Sequence, residues 1–268
     1  MKLLIKPNGG MAGDMFTAGL VSLGADFGDM RNAMMAAAEK LGTAYIDLKK
    51  TDDGSSQLLI VLNSSRRHLA AGEAKEILLG LFDSFNIREK YRDFGLRILD
   101  ILVKAERRAH REYNIVVHDN HNHSHNNSHW HAHDDIEEAF LHEAQDIVID
   151  IIGAVMGMEE LDIEPEADLL CPVSVGGGHI HFSHGTMSVP APATSVILKE
   201  YGIEWTKGPI ERELFTPTGA AILAALGAKV KSNIDLNIVK PVSKGLARGT
   251  KVLEIPPLEL YMVLKKNL

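Results

Sequence analysis

Residues 146–161 read DIVIDIIGAVMGMEEL, and no other stretch constrains the fold so tightly. On a helix of 3.6 residues per turn, the apolar side chains of this segment point in every direction instead of forming one stripe. A helix of that kind has no solvent face, so other elements have to surround it. Asp146 and Asp150 stand four apart within it and share a face. Carboxylates in so apolar a setting are costly to desolvate unless they are paired or bound to something. The functional reading is therefore favoured over its rival, in which the two acids cap helices or pair with arginines of another element. The pattern predicts one helix over 137–161. That places His142 and Glu143 one turn ahead of Asp146, as a group able to hold a divalent ion or to manage protons.

The second constraint is a segment that cannot contribute to a core. Residues 118–135 read HDNHNHSHNNSHWHAHDD and hold seven of the thirteen histidines. They are His118, His121, His123, His125, His129, His131 and His133. Between Asp119 and Asp135 only Trp130 and Ala132 are apolar, so the composition predicts a mobile loop. The run is internal and interrupted, unlike a purification tag. Neutral imidazole suits nickel, zinc and copper, and metal binding is favoured over a solvated linker. Ligand type alone does not name the metal.

On either side the chain alternates strand and helix patterns, which predicts an α/β fold, with α+β as the variant: a mixed sheet with packed helices. A strand is expected over 3–7, and a glycine turn then leads into a short helix ending near Gly24. A second helix is capped by Asp26 and stopped at Gly42. Strands at 45–48 and 57–62 are joined by the turn DDGSS. Helices are expected over 70–85 and 88–113, the latter with an apolar stripe through Phe94, Ile98, Ile101, Leu102 and Ala105. Beyond the loop, 167–190 reads as strands split by glycines, 191–202 and 216–226 as short helices, and 250–255 and 259–266 as closing strands parted by PPL. The divisions are 1–111, a His-rich loop at 112–134, and 135–268. The outer two either stand apart or merge into one domain.

Charge narrows the function classes. The formal net charge is −8, whereas a nucleic-acid footprint is normally basic, so no nucleic-acid partner is expected. Cys171 is the only cysteine, which rules out an intramolecular disulfide and a Cys-rich zinc motif. The apolar start gives way to glycine too soon for a signal peptide, and no apolar run reaches membrane-spanning length. A cytoplasmic protein without a membrane partner is expected.

Three further stretches carry candidate chemistry. In GGGHIHFSHG, His179 and His181 share one strand face and His184 follows in the turn. A metal or anion site and a glycine-rich turn with incidental histidines weigh equally there. In FTPTGAAI, Thr216 suits an N-cap and Pro217 the first helical position. Thr218 and Gly219 then lie at a helix N-terminus, where free N–H groups attract phosphate; an ordinary capped helix is the commoner outcome. NGGMAGDM places Gly13 and Asp14 at another such start, without the ending of a Walker loop. Asp14 suits magnesium or proton handling, or simply caps.

GGMAGDMFTAGLVSLG, HEAQDIVIDIIGA, HGTMSVPAPAT and ELFTPTGAAIL, in that order, resemble the LarC-type nickel insertion family of nickel-pincer cofactor biosynthesis. AERRAH, ahead of the His-rich run, fits the same pattern, and the resemblance covers roughly residues 1–228. It implies a nickel chelatase of the lyase class that inserts nickel into pyridinium-3,5-bisthiocarboxylic acid mononucleotide. The implied helpers are CTP with magnesium or manganese, in a further C-terminal domain of full-length members. A C-terminal partner chain is therefore an open expectation, as is a homo-oligomer. Within that frame the metal ligands would be the seven loop histidines together with His142, His179, His181 and His184. Gly13, Thr216, Thr218 and Gly219 would hold the mononucleotide. Asp14, Glu143 or Asp146 would accept the ring proton. A nickel-storage protein and a metal-dependent phosphohydrolase are the alternatives.

Overall fold

The computed structural model describes residues 1–64, 68–112, 140–142, 146–182 and 185–265. Its centre is a seven-stranded mixed sheet in the order β11-β6-β1-β13-β12-β3-β2. The strands are β1 (Lys2–Lys6), β2 (Thr43–Lys50), β3 (Ser56–Asn63), β6 (Ala167–Leu169), β11 (Lys229–Val230), β12 (Ser243–Ala247) and β13 (Leu258–Val263). The α/β expectation holds. Strands from both sides of the His-rich stretch share this sheet, and one apolar core joins residues as far apart as Leu3, Val155 and Leu260. β13, late in the chain, lies inside the sheet, antiparallel to both β1 and β12.

Five helices build the layer over that core: α1 (Gly13–Leu23), α2 (Phe27–Glu39), α3 (Ala71–Ser84), α4 (Glu89–Glu112) and α5 (Ile147–Glu160). The helix that is apolar all round is α5. Every residue from Ile147 to Met158 is buried, because α1, α2, α3 and α4 pack around it. Two shorter helices, α6 (Pro192–Tyr201) and α7 (Pro217–Ala225), pack on α4 and on each other. Short pairs complete the description: β4 (His68–Ala70) with β5 (Phe140–His142), β7 (Val173–Gly176) with β10 (Trp205–Lys207), and β8 (His179–Phe182) with β9 (Gly185–Ser188). A four-residue helix, α8 (Leu236–Val239), lies in the 231–242 connection. Leu236 and Val239 pack there on the outer sheet face beside Leu4 and Tyr261.

Two expectations are corrected. The helix over 137–161 begins only at Ile147; Phe140–His142 is a strand whose rungs pair Ala70, Leu69 and His68. Its apolar residues mimic a helical stripe, but the β4 ladder takes up their backbone groups. The expected strand over 250–255 does not form. That segment is a loop in which Val252 is 99% exposed, so its alternation has no face to bury. β12 takes its place, and its pattern was hidden by Gly245. A Cβ there would overlap the Gly19 carbonyl oxygen of α1, so close helix packing explains the residue. Among the described residues no helix is long and apolar enough to cross a membrane.

Candidate functional site

The turn at 8–12 and the segment 213–219 are about two hundred residues apart, and they interlock. Met11 N–H donates to the Leu214 carbonyl (2.8 Å), and Thr216 N–H donates to the Met11 carbonyl (3.2 Å). A Cβ at Gly10 would overlap the Leu214 carbonyl oxygen, and one at Gly219 would overlap that of Met11. Backbone packing alone therefore excludes a side chain at Gly219. The contact fixes the start of α7 against the start of α1.

α5 delivers the third helix start. A Cβ at Gly13 would overlap Asp150 Oδ2, so the Asp150 carboxyl rests directly on the first residue of α1. The Thr218 hydroxyl, in the first turn of α7, faces the same carboxyl and favours its charged form. Thr218 Oγ1 lies 3.0 Å from Thr216 Oγ1, and Thr216 caps the helix by accepting the Gly219 N–H at 3.3 Å. Three helix N-termini, whose dipoles are positive, therefore meet around one acid.

The electrostatics are unusual for carboxylates. Burial pushes Asp14 up to about 6; the N–H groups of Met15 and of Asp14 itself pull the other way, while the Asp146 charge pushes further up. Asp150 stands well above the usual carboxylate range because it is buried and faces the negative charges of Asp146 and Asp14. Asp146 is raised by desolvation too, although it sits exposed in the turn before α5, where water screens part of the repulsion.

Beside these acids lies a cavity of about 200 Å³. Its walls include Gly9, Ala12 and Asp14 at the α1 start, Glu213 and Thr216 ahead of α7, and the loop from Arg248 to Pro257. Arg248 is committed elsewhere: its Nε donates to Asp53 (2.7 Å) and its Nη1 to the Ile255 carbonyl (2.7 Å). Lys251 is exposed at the rim. Glu213 is raised by burial, and Lys251 opposes that shift. Among the described residues, Asn8 Oδ1, Thr17 Oγ1, Asp150 Oδ1 and Glu213 Oε1 are buried and find no hydrogen-bond partner. Unpaired polar atoms are normally few, and these four belong to the turn, helices and segment that frame the site.

The sequence-derived candidates divide accordingly. Asp14, Asp146, Gly13, Thr216, Thr218 and Gly219 converge here. His179 and His181 are exposed on β8, with His181 Nδ1 2.7 Å from Thr186 Oγ1. Gly176–Gly178, just before them, pack on Glu211 and Arg212, so the glycines serve a chain crossing. His142 lies on β5, which removes its expected helical alignment with Asp146. His118, His121, His123, His125, His129, His131, His133, Glu143 and His184 lie outside the described residues. Among the described residues no three His, Cys, Asp or Glu side chains gather as a metal-holding group. Sequence reasoning missed Glu213, Thr250 and Lys251 as cavity residues. Thr250 and Lys251 were hidden in the segment that reads as a strand, and Glu213, the first residue of ELFTPTGAAIL, was passed over for the capping residues that follow it.

A family model described as nickel insertion protein matches residues 3–124 and 125–266. The chain is 34% identical over 225 residues to a "Putative nickel insertion protein" of Methanothrix thermoacetophila, covering 83% of this chain and 49% of that one. It is 27% identical over 257 residues to a pyridinium-3,5-bisthiocarboxylic acid mononucleotide nickel insertion protein of Staphylococcus saprophyticus, covering 95% and 57%. A protein of the same name from Clostridium kluyveri is 41% identical over 121 residues, covering 44% and 29%. The chain thus spans about half the length of the curated relatives it matches over most of its own length. No solved structure matches it.

Proposed function

The chain belongs to the nickel insertion protein family, and on that premise we propose that it takes part in inserting nickel into pyridinium-3,5-bisthiocarboxylic acid mononucleotide. The observation that carries this reading is the convergence of three stretches that resemble the family. The α1 start, the α5 start and the α7 start meet at one group of acids beside one cavity. Nickel is the substrate ion here. The His-rich stretch, with His142, His179, His181 and His184, would capture it, since imidazole suits nickel.

Insertion forms a carbon–nickel bond with the electron pair of a ring C–H bond, and the proton released needs an acceptor. Asp14 lines the cavity, and its raised affinity for a proton suits a base working near neutrality. The precursor's phosphate would lie toward Thr216, Thr250 and Lys251, where hydroxyls and a rim cation are available. Ligand pockets that enclose drug-sized molecules measure about 300–1,000 Å³. The 200 Å³ cavity would therefore receive one end of the mononucleotide. The space is too small for CTP with its metal. No step here is routed through CTP.

Native mass spectrometry of the protein with nickel and the precursor tests the reading. The expected product is the precursor plus nickel minus the ring hydrogen, formed by the chain alone or when CTP and magnesium or manganese are supplied. Nickel held by the protein while the precursor stays unchanged in every mixture would instead mark a storage protein. Deleting residues 118–133 should lower nickel capacity, measured by calorimetric titration, without unfolding the chain. An unchanged capacity removes that stretch from the ligand set.

A further inference from the structure

Asp150 is 4% exposed, and apart from the partial positive charge of the helix starts around it its surroundings offer its charge little. Among the described residues Oδ1 has no hydrogen-bond partner, and the Thr218 hydroxyl is the one side-chain group that favours the charge of this carboxyl. Among the described residues, the charges that act on Asp150 are those of Asp146 and Asp14, both negative. The other elements packed against α5 send their charges elsewhere. α2 turns Asp29 toward Glu160 and Arg31 toward the Ile46 carbonyl. α3 gives Asp83 to Arg92, and α4 gives Arg97 to the Ala225 carbonyl. Asp14 is better provided for: two backbone N–H groups face its carboxylate, and it opens on the cavity.

When two nearby carboxyls have unequal surroundings, the proton stays on the one whose anion is worse solvated. A hydroxyl chain stands ready to take up that proton: Thr218 faces the carboxyl, its Oγ1 lies 3.0 Å from Thr216 Oγ1, and Thr216 accepts the Gly219 N–H and lines the cavity. We propose that Asp150 is a neutral carboxylic acid at neutral pH, that it anchors the Thr218–Thr216 chain leading to the cavity, and that Asp14 is the ionised partner and the base of the insertion step. The last clause rests on the insertion reading. Asp150 is then a positioning residue, and Asp14 the group that meets the ring proton.

The measurement is carbon NMR of the full chain labelled at the aspartate carboxyls, titrated across neutral pH. One resonance should keep the position of a neutral acid through neutrality and vanish in Asp150→Asn. Another should titrate near 6 and vanish in Asp14→Asn. An Asp150 that is ionised at neutral pH overturns the proposal. So does a fall of about one unit or more in the Asp14 midpoint in Asp150→Asn, since only removal of a negative neighbour lowers it that way. Should Asp150→Asn not fold, Thr218→Val supplies the assignment by displacing the resonance of the carboxyl it faces.

Insertion kinetics then separate the roles. Asp14→Asn should lose at least about 100-fold in rate with nickel and precursor binding retained. Asp150→Asn, which keeps a neutral polar group, should stay within about tenfold of the parent and outperform Asp150→Ala. A fully active Asp14→Asn protein overturns the base assignment. Absence of insertion by the parent overturns the insertion reading alone, because the spectra still decide the protonation of Asp150.

Discussion

Glu259 and Asp150 are both buried carboxylates, at 9% and 4% exposure, yet the protein treats them in opposite ways. Glu259 points outward from β13, in the middle of the sheet. Lys6 sits directly across from it on β1 and reaches Oε1 at 2.8 Å, while Lys244 from β12 reaches Oε2 at 2.6 Å. Tyr261 donates its hydroxyl to Oε2 at 2.6 Å. Burial alone would raise Glu259, but the two ammonium groups and the phenol outweigh it and hold the carboxyl at about 2. Asp150 has one hydroxyl and two like charges. A buried acid with a structural task is given cations by its strand neighbours. Where the fold withholds them, as at the three helix starts, it keeps a proton in a place where an ordinary carboxylate would have lost it. Such perturbed acids cluster at functional sites.

The largest expected difference between the regions is in activity. Asp14→Asn should reduce nickel insertion by at least about 100-fold, whereas Glu259→Gln should leave the rate per folded molecule unchanged and lower the melting temperature. Equal losses of insertion in both variants would erase the distinction. The Glu259→Gln destabilisation should be about 1–3 kcal/mol, moderated because Lys6 and Lys244 are part-exposed and regain water.

Stability against pH should separate them next, with opposite signs. The folded-state value of Asp14, about 6 against an ordinary 3.8, means that ionisation penalises the fold. The penalty is absent below 3.8, grows as pH rises through about 6, and is at most about 3 kcal/mol above that. Glu259, at about 2 against 4.5, contributes stability above 4.5 that is lost as pH falls toward 2. Melting temperatures should thus decline on both sides of a maximum near pH 4–5, as far as these two groups govern it. Asp14→Asn should flatten the alkaline limb and Glu259→Gln the acid one. An alkaline slope unchanged in Asp14→Asn would show that the cluster is better solvated than its burial implies.

The smallest effect belongs to the rim of the cavity. Lys251 is exposed, so Lys251→Met should weaken precursor binding by only about three- to tenfold, in keeping with a screened charge contact of about 1 kcal/mol. Equilibrium dialysis should show this loss shrinking at high salt. Binding that is unaffected at low salt would move the phosphate away from this loop.

Much of the architecture was legible in the chain itself. The all-round apolar character of 147–158 required a surrounded helix, and the structure surrounds α5. Thr216 and Pro217 marked the α7 start, and Asp26 the α2 start, because capping is a local matter of side-chain oxygens meeting free N–H groups. The two aspartates on the Ile-rich helix were visible as an anomaly that asks for an explanation.

What the chain could not declare depended on contacts across long separations. Phe140–His142 became a strand because His68–Ala70 offered a ladder, and 250–255 became a cavity wall because its apolar side chains found no partner face. Spacing put Asp146 and Asp150 on one helix face, but only packing made Asp150 the buried one and Asp146 the exposed one. The role of Gly13 followed from the close approach of Asp150, and that of Gly219 from the backbone of Met11. Local sequence sets the propensity of each element and the charge each side chain can carry. Which of those charges lose their water, and which gain a cation in exchange, is decided by the neighbours that the tertiary fold brings up.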